Sequence, residues 1–109
     1  MKTIWLVVPC YNEEEVLPET SKQLKNVMSS MIENGKISPE SKIAFVNDGS
    51  KDNTWNIIST LCTCDGIFAG INLSRNKGHQ NALLAGLMTA KKYADAVISL
   101  DADLQDDVN

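Results

Sequence analysis

Val97-Ile98-Ser99-Leu100-Asp101-Ala102-Asp103-Leu104-Gln105-Asp106-Asp107 is a short apolar run that breaks into two carboxylates one residue apart. The run predicts a buried strand over residues 95–100. Alternate side chains of an extended chain point the same way, so Asp101 and Asp103 aim their oxygens at one point. Hard divalent cations such as Mg2+ and Mn2+ take carboxylate, carbonyl and water oxygens. The pair suits a metal that holds the phosphates of a nucleotide. Taken alone, Asp-Ala-Asp is better read as a solvated loop after a strand, and it is the rest of the chain that shifts the reading toward a metal.

Working back from that strand, the sequence offers three more. Residues 3–8 are a continuous, partly β-branched apolar run, as expected of a strand covered on both faces in a parallel sheet. Pro9, which has no N–H to give, is expected to end its pairing. Residues 42–47 and 67–73 read as the second and third strands, with Gly70 marking a close backbone approach. Between them lie three helices. The first is expected over 14–34, capped by Asn12, with Glu13, Glu14 and Glu15 at the positive end of its dipole and Gly35 as its stop. Pro18 falls in its early turns and delays its start. Leu17, Leu24, Met28 and Met31 share its inner stripe, with Val27 and Ile32 beside them. A second helix spans about 53–64, after the turn residues Asp48 to Asn53. The third, 80–93, is apolar on more than one face and is expected to be well buried. The order β-α-β-α-β-α-β, with connections long enough for right-handed crossovers, predicts an α/β fold: a Rossmann-like, mostly parallel sheet with helices on both faces.

Composition narrows the function. In 109 residues there is room for one domain, and 43% apolar with 22% charged residues fits a globular protein. A net charge of −4 with scattered Lys and Arg argues against nucleic acid as a partner. No apolar run approaches the ~20 residues that span a bilayer, and the N-terminus reads as a strand rather than a signal peptide. Cys10, Cys62 and Cys64 are expected to be free thiols, because one Cys-x-Cys pair and a single His cannot complete a zinc site. The chain stops just past the fourth strand, which leaves a sheet edge uncovered. We therefore expect a fragment of a longer protein, soluble by itself and capable of self-association through that edge.

Ligands of parallel α/β sheets bind outside the carboxyl ends of the strands. There the sequence places Pro9, Tyr11, Asn12 and Glu13, then Asn47, Asp48 and Gly49, then Ser74, Arg75, Asn76 and Lys77, and finally Asp101, Asp103 and Gln105. The first βα turn, Val-Pro-Cys-Tyr-Asn-Glu-Glu, lacks the glycine fingerprint of dinucleotide folds, and there is no P-loop. A diphosphate entering so acidic a crevice needs an intervening cation, which makes a metal-bridged nucleotide the economical ligand. Tyr11 is placed to flank a base, Asp48 to accept from a base N–H, and Arg75 to meet phosphate.

The stretches Val7-Val8-Pro9-Cys10-Tyr11-Asn12-Glu13-Glu14, Val46-Asn47-Asp48-Gly49-Ser50-Lys51-Asp52-Asn53-Thr54 and Leu100-Asp101-Ala102-Asp103-Leu104-Gln105-Asp106 resemble the signatures of family 2 glycosyltransferases of GT-A fold. Leu73-Ser74-Arg75-Asn76-Lys77-Gly78-His79-Gln80-Asn81-Ala82-Leu83 is similar to the subgroup that charges polyprenyl phosphates, dolichol-phosphate mannose synthases and bactoprenol glucosyltransferases. The resemblance covers nearly all of residues 1–109. It departs at Asn47, where paired acids are frequent, at Cys10, and at Asp107, where proline is common. It implies the nucleotide-sugar-binding, N-terminal half of a membrane-associated enzyme on the cytoplasmic face. That enzyme would transfer a hexose, with inversion, from a UDP-glucose or GDP-mannose type donor to undecaprenyl or dolichyl phosphate. Family 2 polysaccharide or cell-wall glycan synthesis is the alternative, and a non-catalytic nucleotide-sugar-binding fragment is another. By the same resemblance Glu13 and Asp48 hold the nucleoside and Asp101 lies near ribose or metal. Asp103 and Gln105 are then ligands of the metal or phosphate, with Mg2+ or Mn2+ as cofactor. The acceptor half and its catalytic groups are not in this sequence, so the chain alone is expected to be inactive.

Overall fold

The structure is a computed structural model that describes residues 1–73 and 78–102, apart from the side chains of His79 and Gln80. The elements alternate as expected: β1 Ile4–Cys10, α1 Leu17–Glu33, β2 Lys42–Asp48, α2 Thr54–Cys64, β3 Phe68–Leu73, α3 His79–Ala90 and β4 Ala96–Ser99. The four strands form one parallel sheet in the order β3-β2-β1-β4. From β1 the chain winds outward through β2 and β3, then returns to place β4 on the other side of β1.

Side-chain alternation along β1 and β2 divides the core into two layers. Leu6, Val8, Cys10, Ile43 and Phe45 face α1 and α2, where they pack with Leu17, Leu24, Met28 and Ile58. Trp5, Val7, Ala44 and Val46 face α3, where they meet Ala82 and Ala90. Gly86 lets α3 lie close to the sheet: a Cβ there would come within 2.4 Å of Val7 Cγ1 and 2.9 Å of Val46 Cγ2. Gly70 serves α2 in the same way, with Ile58 Cγ2 at 2.9 Å and the Trp55 ring at 3.2 Å from its would-be Cβ.

Several expectations need correction. Pro9 does not end β1, which runs to Cys10 with Pro9 opposite Val46. In a parallel ladder a residue's N–H and C=O point to the same neighbour. Val7 O accepts from Leu100 N, so Val7 and, by alternation, Pro9 turn toward β4, whose paired stretch ends at Ser99 opposite Val7. The missing N–H therefore costs no bond to β2. Asn12 is not the cap of α1. It sits in the left-handed region (φ 53°), and the helix starts at Leu17 with Val16 before it and Pro18 in its first turn. Val27, expected beside the inner stripe, is exposed. The third helix ends at Ala90, and it is not buried all round: the narrow stripe of Ala82, Gly86 and Ala90 meets the sheet, while Leu84 and Met88 are exposed. Only β1 and β2 are covered on both faces; β4 is half-buried at Val97 and exposed at Ala96, Ile98 and Ser99. Gly35 does close α1, with φ 72° and its N–H on Ile32 O.

Candidate functional site

The sheet order puts the reversal of winding between β1 and β4, and a crevice outside the carboxyl ends forms at such a point. β1 and β4 part after Val7 and Ser99. Beyond the parting, β1 supplies Pro9, Tyr11, Asn12 and Glu13, and β4 leads into Asp101. Pro9 is buried, Tyr11 is exposed and Glu13 is half-buried.

Asp48 closes β2 and is buried, 3% exposed. Alternation with Ala44 and Val46 places it on the α3 side. Since β2 and β4 flank β1, Asp48 at the end of β2 and Asp101 just past the end of β4 lie on opposite sides of β1. The two acids thus stand at one edge of the sheet, on either side of the Pro9–Tyr11 segment.

The turn after β4 is held from below. Leu100 and Ala102 pack into the α1-side layer, and Ala102 is buried. The Thr20 hydroxyl in α1 donates to Ala102 O at 2.7 Å, both ends being buried. With Leu100 and Ala102 turned inward, alternation carries Asp101 to the other side, and it is exposed. Arg75, Asp103 and Gln105 lie outside the described residues. Among the described residues no group of three His, Cys, Asp or Glu clusters as a metal site. The donor set expected of the sequence, Asp101, Asp103 and Gln105, is all oxygen, which fits Mg2+ or Mn2+ and not a soft metal.

A network of hydrogen bonds ties the loop after β1 to the loop after β2. The Asn12 N–H donates to Ser50 Oγ (2.9 Å), and Lys51 N–H donates to Asn12 Oδ1 (2.8 Å). Glu13 N–H donates to Thr54 Oγ1 (2.8 Å) and Glu14 N–H to Asp52 Oδ2 (3.3 Å). Asp52 Oδ1 in turn accepts from Thr54 N (2.9 Å) and Thr54 Oγ1 (2.5 Å). Partial burial raises the Asp52 carboxyl, but the hydrogen bonds from the Thr54 side chain, Thr54 N–H and Glu14 N–H outweigh it and hold the group below the usual aspartate value. The left-handed Asn12 is stabilised because its side chain and N–H both find partners across the gap. A signal for the network was present: Asp and Thr just ahead of a helix commonly bond local N–H groups. Asn47 sits on the opposite face from Asp48. It donates to Asn72 Oδ1 (2.8 Å) and accepts from Ser50 N (3.2 Å), so it shapes the turn rather than lining the crevice.

The cysteines are free, as expected: Cys10 buried, Cys62 half-buried and Cys64 exposed. Burial, reinforced by the Glu13 charge, pushes the Cys10 thiol far up and leaves it an inert packing group. Among the described residues no helix is long and apolar enough to cross a membrane.

The sequence profile described as Glycosyl transferase family 2 matches residues 5–109. The glycosyltransferase YkoT of Bacillus subtilis (strain 168) is 54% identical over 104 residues, 95% of this chain and 31% of that protein. A bactoprenol glucosyl transferase of Shigella phage SfV is 42% identical over 106 residues, 96% of this chain and 32% of that protein. The chain thus spans about a third of the length of these relatives. Among solved structures, S. aureus TarS 1-349 in complex with UDP matches with a TM-score of 0.63 at 22% identity, over 93% of this chain and 27% of that one. The mannosyltransferase PcManGT from Pyrobaculum calidifontis, with GDP-Man and Mn2+, matches with a TM-score of 0.64 at 21% identity, over 94% of this chain and 28% of that one. These two likenesses speak to the fold, a parallel α/β sheet with helices on both faces.

Proposed function

This chain belongs to glycosyl transferase family 2, and from that premise we propose that it is the donor-gripping part of an enzyme that transfers a hexose from a nucleoside diphosphate sugar to a polyprenyl phosphate. The observation that carries the reading is the placement of Asp48 and Asp101 on either side of the β1 end, at the point where the sheet reverses its winding. Relatives named for bactoprenol glucosyl transfer and for undecaprenyl-phosphate 4-deoxy-4-formamido-L-arabinose transfer support the lipid phosphate as acceptor. The same relatives support a site of action at a membrane surface, and we assign it to the cytoplasmic face, where nucleotide sugars are made available.

In this reading the base lies along Tyr11 and Pro9, with Asp48 accepting from a base N–H and Glu13 completing the nucleoside contact. Arg75 meets the phosphates, its planar fork suiting their oxygens. Asp101, Asp103 and Gln105 would hold a Mg2+ or Mn2+ ion. When bound, that ion supplies Lewis-acid neutralisation of the departing nucleoside diphosphate. The chain's own residues do the positioning: they fix the pyrophosphate so that the anomeric carbon turns the face opposite the departing oxygen toward the acceptor. A phosphate acceptor is already anionic near neutral pH, so positioning and electrostatics contribute most of the rate and no strong base is required. Attack on the face opposite the leaving group inverts the anomeric centre. Because the acceptor-binding groups are assigned to other parts of the enzyme, residues 1–109 alone bind donor without turning it over.

Calorimetric titration with UDP, UDP-glucose, GDP and GDP-mannose, each with and without Mn2+, tests this. Mn2+-dependent binding of one nucleotide series is the expected result. Absence of binding by every nucleotide in the presence of Mn2+ overturns the proposal.

A further inference from the structure

We infer that Thr54 and Asp52 are positioning residues for the donor site: their relay of hydrogen bonds locks the loop after β1 onto the loop after β2 before any ligand arrives. This rests on the nucleotide-binding reading above and adds to it residues that touch no ligand.

The direction of each hydrogen bond follows from the donors available. A threonine hydroxyl carries a single proton. Thr54 Oγ1 accepts the Glu13 N–H, and it lies 2.5 Å from Asp52 Oδ1, which as a carboxylate oxygen can only accept. The hydroxyl proton must therefore go to Asp52. The other carboxylate oxygen takes the Glu14 N–H, so Asp52 faces donors on both oxygens. A carboxylate is the one side chain of this size that can accept on both sides; an asparagine would turn its amide N–H either toward Thr54 or toward Glu14. Thr54 is wholly buried, so the oxygen that meets Glu13 has no water to replace it.

A second stitch closes the same gap a few residues away, through Asn12, Ser50 and Lys51. Between them the two stitches hold the backbone of Asn12, Glu13 and Glu14 against the segment 50–54. Tyr11 and Glu13 come from one of these loops, and Asp48 stands at the root of the other. Without the relay the Glu13 N–H loses its bond to Thr54 and the loop gains freedom that nucleotide binding must then remove. The effect is a penalty on affinity rather than on any contact with the ligand.

The variants Thr54→Val, Thr54→Ser, Asp52→Asn and Asn12→Gly provide the test. Valine keeps the shape of threonine and removes the oxygen; serine keeps the oxygen. Glycine at 12 keeps the left-handed backbone and removes the side-chain acceptor for Lys51. Two readouts are taken on each: the Kd for the UDP or GDP that the unmodified chain binds with Mn2+, and amide hydrogen exchange of Glu13 and Glu14 without nucleotide. Thr54→Val and Asp52→Asn are expected to raise Kd about tenfold, the scale of a buried hydrogen bond lost. Exchange at Glu13 and Glu14 is expected to accelerate in them while Val7 and Phe45 in the sheet stay protected. Thr54→Ser is expected to bind within about twofold of the unmodified chain, and Asn12→Gly to fall in between. Equal affinity for Thr54→Val and the unmodified chain overturns the inference while leaving the nucleotide site standing. Weakened binding with sheet amides exposed in Thr54→Val, and no recovery in Thr54→Ser, also overturns it, since the role would then be general stability. An unmodified chain that binds no nucleotide overturns the functional reading itself, and this inference with it.

Discussion

Replacing Thr20 with valine removes the bond that ties the turn after β4 to α1, and its cost can be worked from the structure. The Thr20 hydroxyl donates to Ala102 O at 2.7 Å, with both residues buried. Valine has nearly the same shape, so no cavity opens and the transfer of one oxygen for a methyl is close to neutral. What remains is an acceptor without a donor inside the α1-side layer, worth about 1–3 kcal/mol. Global unfolding that releases the carbonyl would show the whole of this. In a domain of ~100 residues each kcal/mol lowers Tm by about 4–8 °C, so a mid-range cost gives a fall near 10 °C. Alternatively the turn lifts off α1 and finds water locally, in which case Tm falls less and the loss appears in cation-dependent nucleotide affinity, up to about tenfold per 1.4 kcal/mol. Thermal melts and Mn2+-dependent nucleotide titrations on Thr20→Val and Thr20→Ser separate the two, with serine expected to behave as the unmodified chain. A Thr20→Val chain that melts within a degree of the original and binds Mn2+ and nucleotide equally well refutes the reasoning.

Other outcomes follow from the same structure. Gly86→Ala gains about 1 kcal/mol of helix propensity but places its methyl 2.4 Å from Val7 Cγ1, and overpacking of that kind costs about 1–3 kcal/mol, so urea denaturation is expected to show a net loss of stability. The lowered Asp52 carboxyl contributes stability that is complete above the unfolded-state value of about 3.9 and is lost as pH falls through its lower folded value; acid unfolding of Asp52→Asn is therefore expected to be shallower below pH ~4 than that of the unmodified chain. Thiol titration in the native state is expected to modify Cys64 quickly and Cys62 slowly, with Cys10 reacting only after denaturation; prompt native reaction at Cys10 would contradict its burial.

The alternation of strands and helices was legible because each strand is an apolar run bounded by Pro, Gly or Asx residues and each helix carries a stripe of its own. The limits lay where tertiary partners decide. Pro9 looked like a strand terminator because the sequence does not say which neighbour its nitrogen would face; the structure turns it toward the side where β4 has already departed. Asn12 had the chemistry of a helix cap and instead uses it across a gap of 39 residues, on Lys51. The third helix read as buried because it is apolar on more than one face, yet Leu84 and Met88 face solvent while Ala82, Leu83, Leu87 and Ala90 pack toward the sheet. For the site, the acids were legible because their spacing and their position after strands are local facts. That Asp48 and Asp101 flank one strand is a consequence of sheet order, which topology supplied. The relay through Asp52 and Thr54 was missed because those residues also make ordinary turns, and Arg75, Asp103 and Gln105 lie outside the described residues.

The claim on which the rest depends is that one crevice, at the carboxyl ends of β1, β2 and β4, holds a cation together with a nucleoside diphosphate. Mn2+ broadens nearby amide resonances, so NMR spectra of the chain with UDP or GDP and trace Mn2+ locate the ion directly. The account predicts broadening centred on Asp101 and Ala102 that reaches Tyr11 to Glu13 and Asp48 to Ser50, dependent on nucleotide and abolished by Asp101→Ala. Broadening centred on the outer faces of α1 or α3, or unchanged by Asp101→Ala, would contradict it.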